Sequence, residues 1–134
     1  MDRWMRGADR GAAAVEFALL LPLLLILVFG IIDFGRMLNA QITLTEAARE
    51  GARASVLGTS VSARVNQLTG GLGTTTTTTT ACPANPVPSD TTTVTVTYQF
   101  QFATPIGALA PILGGTAYGG PVTLRATGVM PCRA

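Results

Sequence analysis

The sequence predicts a single-pass membrane protein of the α+β class, in which a long N-terminal helix precedes a small antiparallel β domain. Two observations support this prediction. One apolar segment near the N-terminus is long enough to cross a bilayer, and the C-terminal part of the chain alternates polar and apolar residues as strands do. The chain has 134 residues, of which 48% are hydrophobic and 12% are charged, and the apolar excess is concentrated in that one segment.

The apolar segment covers residues 12–32 and contains one charged residue, Glu16. Because about 20 apolar residues cross a bilayer as an α-helix, this segment is predicted to be a transmembrane helix. Residues 1–11 form a short polar leader with three arginines, which the positive-inside rule places in the cytoplasm. A cleaved secretory signal is the alternative, but no Ala-x-Ala site follows the segment, and the nearest small-residue exit is at Ala40.

Residues 33–69 are predicted to form an amphipathic helical stem that continues the transmembrane helix. Gly58 is the predicted C-cap of the long helix, and a second short helix is predicted over residues 61–68. The apolar stripe of the stem is predicted from residues that recur at three- and four-residue spacing, namely Leu38, Ile42, Thr45, Ala48, Ala52 and Val56.

Charged and small residues mark the outer side of the membrane segment. Asp33, Gly35 and Arg36 lie where the helix leaves the lipid, and Arg49 and Arg53 follow further along the stem. Contact with another subunit and ion pairs on the helix surface are both open interpretations, and the three-residue spacing of opposite charges favours the ion pairs. The predicted pairs are Asp33 with Arg36, Glu46 with Arg49, and Glu50 with Arg53.

Residues 70–90 are predicted to be a linker, and residues 91–134 a small extracytoplasmic β domain. Residues 74–80 are seven threonines, whose β-branched side chains disfavour helix, and three prolines follow them. A bare flexible loop is favoured here over an O-glycosylated stalk. Alternation predicts strands at residues 94–102 and 122–126, with a loop and a short helical turn between them. Two strands alone are marginally stable, so this sheet must pack on the stem or recruit another strand.

Cys82 and Cys132 both follow the apolar segment, and they lie too far apart for CxxC redox or zinc chemistry. Outside the cytoplasm we expect them to form a disulfide, which would stabilise the domain by about 4 kcal/mol; two buried free thiols are the alternative.

The chain contains no histidine and no lysine, which excludes histidine-dependent catalysis, imidazole metal sites and Schiff-base chemistry. Its seven acidic residues form no evident catalytic pair, and its nine arginines form no dense basic cluster. We therefore expect no enzymatic activity, no metal or cofactor site, no small-molecule substrate and no nucleic-acid partner.

Glu16 is the unusual residue of the apolar segment, because a carboxylate inside a membrane helix costs about 2.5–3.5 kcal/mol. Gly11 immediately precedes this segment, and a cut after it would create an ammonium group on Ala12 that can pair with Glu16 of a neighbouring subunit. Such a pair would set the axial register of bundled helices, whereas the alternative is a Glu16 that reaches water. Pro22 frees the carbonyl of Ala18 and permits a kink, or it has no special role.

Several short motifs lie close together in this part of the chain. They are Gly11, the AVEFA sequence at residues 14–18, Pro22, the exit motif at residues 30–36 and the AAREGAR sequence at residues 47–53. Together they make residues 10–55, about a third of the chain, resemble the TadE-like family of the tight-adherence (Flp) pilus system.

The resemblance implies a pseudopilin-like or minor pilin component that serves the assembly of an adhesive pilus. It implies that prepilin peptidase cuts after Gly11, that Ala12 becomes the mature N-terminus and that Glu16 is the pilin-like glutamate. Pilin signals often place a bulky or aromatic residue after the cut, where this chain has Ala12. The implied partners are the bilayer, other pilin or pseudopilin helices and the peptidase, and the implied location is the plasma (inner) membrane with a cytoplasmic N-terminus.

A protein of a different class remains the alternative. In it, the leader and the helix form a permanent membrane anchor, and the β domain is a small binding domain at the cell surface or in the envelope. Glu16 would then be incidental.

Overall fold

The computed structural model describes residues 5–104 and 120–133. In this part of the chain, two helices precede a three-stranded antiparallel sheet, which confirms the predicted α+β class. The loop and helical turn predicted between the last two strands lie outside the described residues, apart from Gly120. The elements in chain order are α1 (Met5–Val56), α2 (Val61–Thr69), β1 (Thr75–Thr80), β2 (Thr91–Phe100) and β3 (Val122–Pro131).

Helix α1 is one continuous helix of 52 residues, about 78 Å long, and it passes through Pro22 without interruption. It begins at Met5, so much of the leader predicted at residues 1–11 is helical, in contrast to the expected helix start near residue 12. The physical reason is that a helix extends more easily than it nucleates, and the glycines of this stretch weaken the helix by only about 1 kcal/mol each.

The C-terminus of α1 is a Schellman motif, which confirms the predicted cap at Gly58. Gly58 has a φ of 67°, a left-handed conformation that favours glycine. The Thr59 amide donates to the Ala54 carbonyl at 2.9 Å, and the Gly58 amide donates to the Ser55 carbonyl at 3.2 Å. Ser60 then caps α2 by accepting a hydrogen bond from the Ala63 amide.

The threonine run is a strand and not the predicted linker. Thr75–Thr80 pairs antiparallel with β2 at one edge of the sheet, with Thr78 opposite Thr95. Threonine is a favourable strand residue, and the three prolines follow the strand, where they do not interrupt its hydrogen bonds. The sheet has therefore recruited the third strand that its stability requires.

The other two strands differ from their predicted limits by a few residues. The strand predicted at residues 94–102 is Thr91–Phe100, and the one predicted at 122–126 is Val122–Pro131. The second strand continues through Gly128, because this glycine pairs with Val94 in the middle of the ladder.

The core lies between the two helices and one face of the sheet. Strand β2 contributes Val94 and Val96, α1 contributes Leu44, and α2 contributes Val65, all of them fully buried. The predicted apolar stripe of the stem is only partly correct. Its residues Ala48 and Ala52 are buried, whereas Leu38 and Ile42 are 51% and 59% exposed, and Ala40, Leu44 and Ala47 form the rest of the buried face.

Two glycines allow α1 to approach the sheet closely. A Cβ added at Gly128 would overlap the Ala48 carbonyl group and would lie 2.8 Å from the Arg49 amide nitrogen. A Cβ at Gly51 would lie 3.0 Å from Val65 Cγ2 and 3.0 Å from Val94 Cγ1. The helix therefore packs directly on the backbone of β3.

The predicted disulfide between Cys82 and Cys132 is present, with 5.8 Å between the two Cα atoms. It joins the segment after β1 to the end of β3, at the end of the sheet where the Cys132 amide also donates to the Asp90 carbonyl at 2.8 Å.

Candidate functional site

The predicted transmembrane segment is a largely exposed helix, in which Ile26, Phe29 and Gly30 are half-buried. Its most apolar 18-residue window has a mean hydropathy of 2.8, and none of that window is buried. Between Val15 and Ile32, large apolar side chains on every face of the helix are exposed, from 38% for Leu21 to 75% for Leu19. An apolar surface of this extent needs lipid or other helices around it, so this helix indicates a single-pass membrane protein.

The residues of the predicted processing site lie on the exposed N-terminal part of α1. Gly11 and Ala12 are consecutive helical residues, and a Cβ added at Gly11 would contact nothing within 4 Å. Glu16 follows Ala12 by four residues, which places both on one face of the helix, one turn apart. Among the side chains of residues 11–104 and 120–133, none forms an ion pair with Glu16.

Asp33 joins the membrane end of α1 to the β domain. Its side chain is buried, with 1% of its surface exposed. The carboxylate accepts hydrogen bonds from the Ala103 amide at 3.1 Å, from the Thr104 amide at 3.2 Å and from the Thr104 hydroxyl. Arg36 adds an ion pair at 3.1 Å, as its spacing predicted. These groups hold the segment after β2 against the helix immediately beyond residues 12–32.

The charge of Asp33 is stabilised by its surroundings. Burial alone would raise the pKa of Asp33, because it removes water from the carboxylate. The hydrogen bonds from Thr104, Ala103 and Arg36 outweigh burial and hold the pKa below its ordinary value of 3.8. Asp33 is therefore an ionised anchor at neutral pH.

Arg36 links this anchor to the aromatic residues at the end of β2. Its guanidinium lies 5.4 Å from the centre of the Phe100 ring, and Phe100 packs edge-to-face on Phe102 at 5.5 Å between ring centres. Gly35 is exposed and a Cβ there would contact nothing within 4 Å, so it has no packing role within the described residues.

The charges further along α1 do not all pair as predicted. Glu50 pairs with Arg53 at 3.7 Å, as expected, and also with Arg64 of α2 at 3.4 Å, which ties the two helices together. Glu46 and Arg49, in contrast, form no ion pair within the described residues, which corrects the prediction. Both are exposed, and an exposed pair gains too little free energy, about 0–1 kcal/mol, to restrain two long side chains.

Sequence reasoning missed three contributors to this region. Thr104 anchors Asp33 from 71 positions away, and Arg64 bridges the helices, and neither belongs to a recognisable motif. The role of Gly128 could have been predicted from the sequence, because a glycine inside an alternating strand pattern often marks a site where another backbone approaches closely.

Residues 11–53 match the family described as TadE-like protein. The match covers about a third of the chain, and this part is similar to that family. The match confirms the resemblance found in the sequence, and it indicates a protein associated with a tight-adherence pilus. The TadE-like segment includes the membrane helix, Asp33, Arg36 and the face of α1 that packs on the sheet, and it ends before α2. No curated protein and no solved structure matches the chain.

Proposed function

We propose that this protein is a pseudopilin-like or minor pilin component that serves the assembly of a tight-adherence (Flp) pilus. The observation that carries the proposal is that the match to the TadE-like family covers the apolar part of α1, where large side chains between Val15 and Ile32 are exposed. A helix of this kind can exchange lipid for neighbouring helices, as assembly into a filament requires. The protein acts as a substrate and a building unit, with no active site of its own.

Processing after Gly11 by prepilin peptidase is the first step of the proposed function. The site lies in the part of α1 that has no tertiary packing, so only helical hydrogen bonds must open to expose it. Glycine is a poor helix former, by about 1 kcal/mol relative to alanine, which favours local opening there. The cut leaves an ammonium group on Ala12, which pairs with Glu16 of a neighbouring subunit.

The proposed orientation places residues 1–11 in the cytoplasm and the β domain outside the plasma (inner) membrane. The arginines of the leader support this orientation, and so does a disulfide in the β domain, because disulfides persist in oxidising compartments.

The test is the intact mass and N-terminal sequence of the protein extracted from its native membrane. The proposal predicts a chain that begins at Ala12, and Gly11→Leu is expected to leave the leader attached. Gly7→Leu, at the preceding glycine, serves as the control and should be cleaved normally. A wild-type chain that retains its leader would contradict processing, and normal pili in a deletion strain would contradict the assembly role.

A permanently anchored surface or envelope protein is the second candidate. The observation that favours it is the uninterrupted course of α1 from Met5 through Gly11 and Ala12. Glu16→Ala separates the two candidates, because it abolishes pilus assembly in the first and affects only membrane insertion in the second.

A further inference from the structure

One face of α1 carries an apolar seam that continues from the membrane segment into the stem. Its residues are three or four positions apart, the spacing of helices that pack side by side, and each is between 51% and 65% exposed. The seam consists of Leu20, Leu24, Leu27, Ile31, Phe34, Leu38 and Ile42.

The seam faces away from the β domain. Leu38 precedes the buried Ala40 by two positions, and Ile42 precedes the buried Leu44 by two positions. Two positions correspond to about 200° around an α-helix, so the seam and the packed face lie on opposite sides. No described part of the chain covers the seam.

The outer end of the seam lies beyond the predicted lipid region. Leu38 and Ile42 follow the end of the membrane segment by about 9 Å and 15 Å along the helix axis. Gln41, about 60° around the helix from Leu38, donates to the Arg125 carbonyl of the β domain at 3.0 Å, which places this level of α1 within the outer domain. Lipid therefore does not account for the apolar residues at this level, whereas a protein surface packed along the seam would cover them together with the rest of it.

The middle of the seam has a glycine on each side. It contains a shallow apolar groove of about 620 Å³, lined by Leu27, Gly30, Ile31, Phe34, Gly35 and Leu38. A Cβ added at either glycine would contact nothing within 4 Å, so the groove is open at both positions. Small residues at such places let two helix backbones approach closely in a membrane.

Charged residues at the outer end of the seam identify the partner. Glu46 and Arg49 follow Ile42 on the same face, both are exposed, and neither forms an ion pair with a described residue. They are three residues apart, which is about 4.5 Å along the axis and within reach of two long side chains. This surface is therefore complementary to itself when two copies lie side by side in the same direction.

We propose that a second copy of this chain binds along the seam, so that two α1 helices pack in parallel through and beyond the membrane. Chains inserted in the same orientation are related by a two-fold axis along the membrane normal, and this axis brings each seam against its counterpart. Glu46 of each copy then pairs with the partner's Arg49, and the β domains lie on the outside. The dimer does not depend on processing after Gly11.

Oxidative cross-linking of the full chain in lipid vesicles tests the dimer without peptidase or pilus proteins. Both native cysteines are in the disulfide, so an added cysteine reports its own position. Ile31→Cys and Leu38→Cys are expected to yield disulfide-linked dimers that persist when the protein is diluted with lipid. Ile32→Cys, an adjacent exposed residue about 100° around the helix, is the matched control and should not.

Equal cross-linking at positions 31 and 32, or loss of the dimer on dilution, would mean that the helices meet without a preferred face, and would overturn the proposal. The proposal would also be overturned if these cysteine variants formed no dimers in vesicles but cross-linked to a different protein in cells.

Charge reversal tests the Glu46 contact separately. Glu46→Arg is expected to weaken dimerisation of Leu38→Cys about fivefold, and the added change Arg49→Glu is expected to restore it. Arg133→Glu, at an exposed residue of the outer domain, should leave the dimer unchanged. Failure of the double change to restore cross-linking would exclude the proposed pairing.

Discussion

The Asp33 carboxylate is almost completely buried, and hydrogen-bond donors surround it. Two backbone amides, one hydroxyl and one guanidinium surround its carboxylate. Since a buried charge is tolerated only when it is paired, these donors favour the ionised form, and this residue connects the membrane helix to the β domain most strongly while it is ionised.

The anchor predicts a specific dependence of stability on pH. Because the pKa of Asp33 is lower in the folded protein than its ordinary value of 3.8, its stabilising contribution is complete above about pH 4 to 5. That contribution is lost as the pH falls through the lower, folded-state pKa. Thermal unfolding of the detergent-solubilised chain at pH 7 and at pH 3 measures this loss.

Asp33→Asn is expected to destabilise the protein at pH 7 by about 2–3 kcal/mol, because an amide cannot accept every hydrogen bond of the carboxylate. The variant should also lose part of the difference in stability between pH 7 and pH 3. An unchanged difference would show that other carboxylates cause the acid sensitivity.

The close packing at Gly128 predicts that a single added methyl group destabilises the protein. Gly128→Ala places a Cβ against the Ala48 backbone, so α1 and β3 must separate, and we expect a loss of about 1–3 kcal/mol. Gly71→Ala is the control, because a Cβ there would contact nothing within 4 Å. Denaturant unfolding of both variants compares them, and equal stabilities would contradict the close contact of α1 with β3.

Among the elements, β1 is an edge strand, so only alternate amides of its threonines can donate to β2. Asp90 and Cys132 form a hydrogen-bonded pair beyond the ends of β2 and β3, and such pairs alternate along an antiparallel ladder. Counting from this pair, the Thr78 amide points toward β2, whereas the Thr77 amide points to the free edge of the sheet.

This alternation predicts different effects of proline at neighbouring positions. Thr78→Pro removes a hydrogen bond to β2 and should destabilise the sheet by about 1–3 kcal/mol, whereas Thr77→Pro should cost less. Both variants carry the same residue in the same strand, so thermal unfolding isolates the direction of the amide. A larger loss for Thr77→Pro would mean that the inferred register is wrong.

At the scale of the whole molecule, the outer domain is small and depends on several distant connections. Asp33 holds its membrane end, the close contact of α1 with β3 holds its middle, and the Cys82–Cys132 disulfide holds its far end. A domain of this size has a limited core, so a covalent link contributes a large share of its stability.

Removing the disulfide is therefore expected to be costly. The disulfide closes a loop with a sequence separation of 50 residues, for which chain entropy predicts a contribution of about 4 kcal/mol to the free energy of unfolding. Cys82→Ser with Cys132→Ser should lower the free energy of unfolding by a comparable amount, measured by denaturant titration without reductant. A reductant should destabilise the wild type and leave the double variant unaffected.

Local patterns were sufficient to predict much of this protein. The apolar segment, the cap at Gly58, the short second helix, the alternating strands and the TadE-like motifs all depend on residues near one another in the chain. The disulfide was also predictable, because the chain has only two cysteines and both follow the apolar segment.

Long-range contacts set the remaining features, and no local pattern encodes them. Threonines become a strand only because β2 lies beside them, and Asp33 becomes an anchor only because residues 103 and 104 return to the helix. The face of α1 that packs was misjudged for the same reason. Alanines suffice where the sheet approaches closely at Gly128, which leaves the larger Leu38 and Ile42 on the exposed side.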